Sequence, residues 1–187
     1  MIMKNECIQD YILKSERNLA VAAAVGEAWP EAREELVSRF LDQLESRLKK
    51  KLKKGWKFER WGGRFFMEAY PGFYISKPTW AHHSIGFQCG ERGNQLVKGV
   101  SRDTSDTRKL PLHAPLLNAV QQIHPSAKST AWWEALVTMR SPEPDWRKPE
   151  ALWRMHKEAA FLTDVADQLL EIVEVSERII DRLPQKK

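Results

Sequence analysis

The chain has 187 residues, 42% apolar and 29% charged, with 30 Lys and Arg against 25 Asp and Glu for a formal charge of +5. A chain of this length buries roughly 70% of its unfolded surface without covalent staples, and this composition excludes disordered and fibrous classes. The positive excess permits a nucleic-acid partner without demanding one, because clustering counts for more than the total.

Residues 5 to 28 read as a helix, with Ile8, Tyr11, Ile12, Leu19 and the run AVAAAVG supplying apolar surface until Trp29-Pro30 interrupts it. A second helix begins near Pro30, at the first-turn position that proline tolerates. Its apolar residues Leu36, Phe40, Leu44, Leu48 and Leu52 recur every four positions, with Val37 and Leu41 widening the stripe. The lysines before Gly55 suit the negative end of the helix dipole, and Gly55 stands where a helix-terminating glycine belongs.

Between Trp56 and Phe87 the texture changes: more than half of the chain's aromatic residues fall here, punctuated by Gly62-Gly63, Pro71-Gly72 and Pro78. Strands and tight turns explain this pattern. WKFERW and RFFMEAY read as a hairpin through Gly62-Gly63, followed by GFYISK, and then by HHSIGFQC and QLVKGVS joined through the turn GERGN. The polar stretch TSDTRKLP reads as a loop. Helices are expected around 114 to 123, from Thr130 to Met139, and from about Pro149 to Leu183, where Phe161, Val165, Leu169, Ile172, Val173 and Ile180 keep helical spacing. The order predicts one α+β domain over 1–187, with helices at 5–54, a five-stranded antiparallel sheet at 56–102, and helices at 114–183 that end in a long one.

The chemistry-bearing residues point away from catalysis. Cys7 and Cys89 are far apart and lack C-x-x-C spacing, so neither a disulfide framework nor a zinc ribbon is expected. Adjacent strand residues face opposite ways, so at most one of His82 and His83 could reach a given metal ion; His113, His124 and His156 fall in other elements. Cys89 shares a strand face with Ile85 and Phe87, the surroundings of an inert thiol. The GERGN turn joins strand to strand and lacks the phosphate-loop pattern. Asp145 with Lys148, and Asp103 and Asp106 with Lys109, lack the converging carboxylates of a metal-dependent nuclease. No cofactor, metal or catalytic residue is assigned.

The strongest surface feature is KKKLKKGWKFERWGGR: Lys49, Lys50, Lys51, Lys53, Lys54, Lys57, Arg60 and Arg64, interleaved with Trp56 and Trp61. Cations beside exposed rings suit phosphate attraction and base stacking; equally, lysines complement a helix end and keep a sheet edge soluble. Trp132-Trp133, at an expected helix start, is a second aromatic group suited to core packing or to partner binding.

GWKFERW, GFYISKPTW, SIGFQCGERGNQLVKGVSRD, the Trp-Trp pair and PDWRKPEALWRMHK before a long final helix, in that order, resemble the C-terminal region of PD-(D/E)XK nuclease superfamily proteins of bacteria and their phages. The likeness covers most of residues 8 to 183. In that family a nuclease core carrying the catalytic Asp, Glu and Lys precedes this region, and no segment here matches it. The resemblance therefore implies a non-enzymatic binding module, phage or mobile-element related, that contacts nucleic acid or a nucleoprotein complex in DNA metabolism or host defence. A protein-protein interaction factor, such as an inhibitor or regulator in phage-host conflict, is the alternative reading, and a metal-dependent nuclease the third. No apolar run reaches the roughly 18 residues of a membrane span, and MIMKNECIQDYILKSER lacks a secretory apolar segment, so a cytoplasmic protein without a membrane partner is expected.

Overall fold

The computed structural model describes residues 5–90, 95–102 and 112–183, with side chains from Cys7 onward. The turn residues Glu91 to Asn94 and the loop carrying Asp103, Asp106 and Lys109 lie outside the described residues. In chain order the elements are α1 (Asn5–Leu13), α2 (Glu16–Lys51), β1 (Lys57–Trp61), β2 (Gly72–Ser76), β3 (His83–Cys89), β4 (Leu96–Arg102), α3 (Ala114–Ile123), β5 (Trp133–Thr138), α4 (Pro149–Lys157) and α5 (Ala159–Ile180). The five strands pair antiparallel in the order β1-β2-β3-β4-β5. The architecture is the expected α+β, a five-stranded antiparallel sheet flanked by helices.

Alternation sorts each strand onto two faces. Phe73 and Ile75 of β2, Ile85, Phe87 and Cys89 of β3, Leu96 and Val100 of β4, and Ala135 and Val137 of β5 are buried. Against them lie Val37, Phe40, Leu41, Leu44 and Leu48 of α2 and Phe161, Val165, Leu169, Ile172 and Val173 of α5. Trp146 sits at the centre of this layer, fully buried, with ring centroids 5.2–5.4 Å from Phe40, Phe65 and Phe87. Contacts of this kind add to the burial of a large apolar ring.

On the opposite face Gly86 pairs with Tyr74 and with Gly99. A Cβ on Gly86 would collide with the carbonyl oxygen of Phe73 and with the Tyr74 ring. Gly99, at φ +152°, brings β4 against the Ala135 carbonyl, where a side chain has no room. Tyr74 lies over this glycine surface and meets Trp133 at 6.4 Å between centroids.

Several boundaries differ from the sequence expectation. Pro30 does not break the first helix: α2 runs through it, and the break falls at Ser15, whose hydroxyl accepts a hydrogen bond from the Asn18 N–H at 3.1 Å. A serine N-cap satisfies an otherwise orphaned donor, whereas Pro30 costs the helix one hydrogen bond that the remaining turns sustain. RFFMEAY is not a strand, and β1 pairs with β2. The Glu34 carboxylate accepts from the N–H groups of Phe65 and Phe66 at 2.7 and 2.9 Å, and Glu68 accepts from Gly63 at 2.8 Å. Carboxylates thus take the place of a strand partner. The expected helix from Thr130 to Met139 is instead β5, which completes the sheet beside β4 and extends it beyond residue 102. Val, Thr and Trp favour such a pleated position, and the open edge of β4 supplies the partner. Lastly, the final helix is two, α4 and α5, separated at Glu158 with extended backbone.

Candidate nucleic-acid interface

The C-terminal end of α2 and strand β1 carry the basic cluster. Lys49, Lys50 and Lys51 occupy the last turn of α2; Lys53 and Lys54 follow in the connection, and Gly55, at φ +105°, reverses the chain into β1. The connection is short because Leu48 and Leu52 anchor the helix end to the core while Phe58 starts the packed face of β1.

The cations divide into two groups. Lys49 is 2.6 Å from Glu45, Arg60 is 2.6 Å from Asp42 and 3.6 Å from Glu45, and Arg64 is 2.5 Å from Glu31. Arg60 and Arg64 brace β1 and the following loop against α2, the Lys49 pair lies within α2, and the charge of all three is largely compensated. Lys50, Lys51, Lys53, Lys54 and Lys57 are exposed and form no ion pair with the described residues. The end of α2 and the start of β1 thus carry a net positive surface.

The aromatic members divide as well. Trp61 is 59% exposed. It shares a β1 face with Lys57, and four residues of strand separate the two by roughly 13 Å. Trp56 is half-buried with its ring edge-on to Trp80 at 5.2 Å. Beside Trp61 a cleft of about 410 Å³ opens between α2 and the loop after β1, rimmed by Glu31, Glu35, Arg60 and Arg64. The Trp132-Trp133 pair is split: Trp132 is 50% exposed, whereas Trp133 is buried in β5 and cannot serve as a contact surface.

Buried charge lies elsewhere. Glu134, 2% exposed, accepts from the His113 N–H at 2.7 Å and lies 3.2 Å from Arg102 and 3.5 Å from His83. Burial pushes the carboxyl upward, but hydrogen bonds from His83 and the His113 N–H, with the Arg102 charge, hold it below the ordinary range. The register shift between Val100 and Ser101 places Glu134 beside Arg102, which no sequence period announces. Lys98 is also buried, opposite Phe87 and Val137. Burial lowers its amino group to about 8, with Glu171 acting in the opposite direction. Its spacing between Leu96 and Val100 was a readable signal of that inward placement.

Asp145 and Cys89, weighed for reaction chemistry, are otherwise engaged. Both carboxylate oxygens of Asp145 accept from the Arg147 guanidinium at 2.8–2.9 Å, and this pairing holds the carboxyl below its usual range. Cys89 is buried, and that burial, with Asp145 adding, pushes its thiol upward. His83 opens β3 while His82 precedes it, and among the described residues no group of three or more His, Cys, Asp or Glu could hold a metal ion. Nor, among these residues, is any helix long and apolar enough to cross a membrane. No family model matches the chain, and neither a curated protein nor a solved structure does.

Proposed function

We propose that this protein is a non-enzymatic binding module that contacts nucleic acid through the end of α2 and the exposed face of β1. The observation carrying this reading is that Lys50, Lys51, Lys53, Lys54 and Lys57 are exposed and uncompensated at one end of β1, with the exposed ring of Trp61 at the other end of the same strand face. Phosphates would meet the lysines, giving affinity that falls with salt and reads no sequence. Trp61 would stack on an unpaired base, favouring single strands over duplex. The resemblance to the region following a PD-(D/E)XK core supports reading such binding as part of phage-related DNA metabolism or host defence, with a cytoplasmic setting as part of the proposal.

Fluorescence anisotropy with labelled single-stranded DNA, single-stranded RNA and duplex at graded salt tests the proposal. Replacing the five lysines by Gln should weaken binding by roughly a hundredfold or more at moderate salt and flatten the salt slope. Trp61→Ala should cost about 1–3 kcal/mol on single strands and much less on duplex. Binding indifferent to the lysines would overturn the reading. The protein-interaction alternative has its own observation, the exposure of Trp132 and Trp153 at 50% and 61%; a stoichiometric protein complex lost on Trp132→Ala would favour it.

A further inference from the structure

The helical hairpin made by α1 and the first half of α2 stands outside the hydrophobic core. From Cys7 through Leu36 no residue is buried; α2 contributes to the core only from Val37 onward. Half-burial at Ile12, Asn18 and Ala22 marks where α1 lies on α2, fixed by a 2.7 Å hydrogen bond from Asn18 Nδ2 to the Tyr11 carbonyl. α1 has nine residues, short of the roughly 12–15 at which even favourable isolated helices become marginal in water. Yet the hairpin presents large apolar side chains to solvent: Tyr11 at 66%, Leu13 at 75%, Leu19 at 51%, Val21 at 56%, Val25 at 59%, with Ile8 and Trp29 near 40%.

We infer that this hairpin is a self-association surface, packing against the same hairpin of a second copy of the chain. Area supports that occupant: these seven side chains expose on the order of 800 Å² in all. Because Tyr11 and Leu13, like Leu19 and Val21, lie two helical residues apart and face different ways, one contact covers part of it, the area of a small interface. Charge supports it too. Residues 7–30 carry Asp10, Glu16 and Glu27 against Lys14 and Arg17, so two copies of this segment nearly balance within themselves, although the whole chain is +5. A strongly charged foreign partner would find little to pair with, whereas an isologous contact sets each copy's acids within reach of the other's bases. The lysine cluster does not interfere. It lies at the far end of α2, some 40 Å from Ala22 at 1.5 Å per residue, so two copies joined by their hairpins keep like-charged ends apart.

Sedimentation velocity over a wide concentration range, on the full chain, tests this. The wild-type chain should sediment as a dimer. Leu19→Glu with Val25→Glu, and independently Tyr11→Glu, should each weaken dimerisation more than tenfold, while the near-ultraviolet signal of the Trp146 core stays unchanged. Cys7 is exposed and Cys89 buried, so a spin label on Cys7 should report a defined intermolecular distance in the wild-type dimer that vanishes in the variants. A monomer at every concentration, or a dimer that survives both sets of substitutions, overturns the inference. The lysine variants should leave the dimer intact, so this surface and the nucleic-acid surface fail separately.

Discussion

Lys98 is the residue whose placement is hardest to reconcile with stability alone. It occupies a core-facing position of β4, 3% exposed, with an amino group lowered by burial to about 8. Below about pH 8 both folded and unfolded chains carry its proton, and burying that charge costs on the order of 3 kcal/mol. Between about 8 and the ordinary lysine value near 10.4 the unfolded chain holds more of the proton, so stability rises with pH across that window. Lys98→Met should therefore raise the melting temperature at neutral pH, and its advantage over the wild-type chain should shrink towards pH 10, as thermal melts at graded pH would record. Gly86 is the opposite case, a position fixed by what it lacks. Gly86→Ala would drive a methyl group into the Phe73 carbonyl and the Tyr74 ring; we expect a loss of about 2–3 kcal/mol by chemical denaturation, whereas Gly26→Ala, inside α2 with open space around the added carbon, should be neutral or stabilising.

Among the elements, the segment after β1 is held by side chains and not by a ladder. Glu34→Gln keeps the shape but retains one acceptor oxygen and turns an amide NH2 donor toward the other N–H, while Glu34→Ala removes both acceptors for Phe65 and Phe66. The alanine variant should cost about 1–3 kcal/mol and the glutamine variant less; hydrogen exchange should show both effects at the Phe65 and Phe66 amides. The hydrophobic rhythm of α2 was legible because its partner surface is a continuous layer, so Val37, Phe40, Leu41, Leu44 and Leu48 must recur on one side. The RFFMEAY segment was not legible by the same logic. Its aromatic residues fit a strand equally well, and only the approach of Glu34 from another element gave its N–H groups a different acceptor. β5 misled for a related reason: WWEALVT carries helix formers and strand formers together, and the unpaired edge of β4 decided between them.

For the whole molecule, charge and packing are separated along α2. Its C-terminal half belongs to the core, its last turn begins the lysine cluster, and its N-terminal half carries apolar surface away from both. That polarity lets two surfaces act independently, which is why the lysine and hairpin substitutions are expected to have separable effects on binding and on association. The α+β class, the α2 stripe, the inward set Ile85, Phe87 and Cys89, and the dense run of lysines could be read from the residues, because each is a local pattern of spacing or composition. The fold was needed to show that Arg60 and Arg64 meet Asp42 and Glu31, residues far apart along the chain, whereas the Lys49–Glu45 pair is local to α2. Tertiary structure also divided Trp132 from Trp133, placed Glu134 beside Arg102, and left the α1–α2 hairpin uncovered. Each of these outcomes depends on which distant surfaces meet, and the energy of such meetings is not written in any window of neighbouring residues.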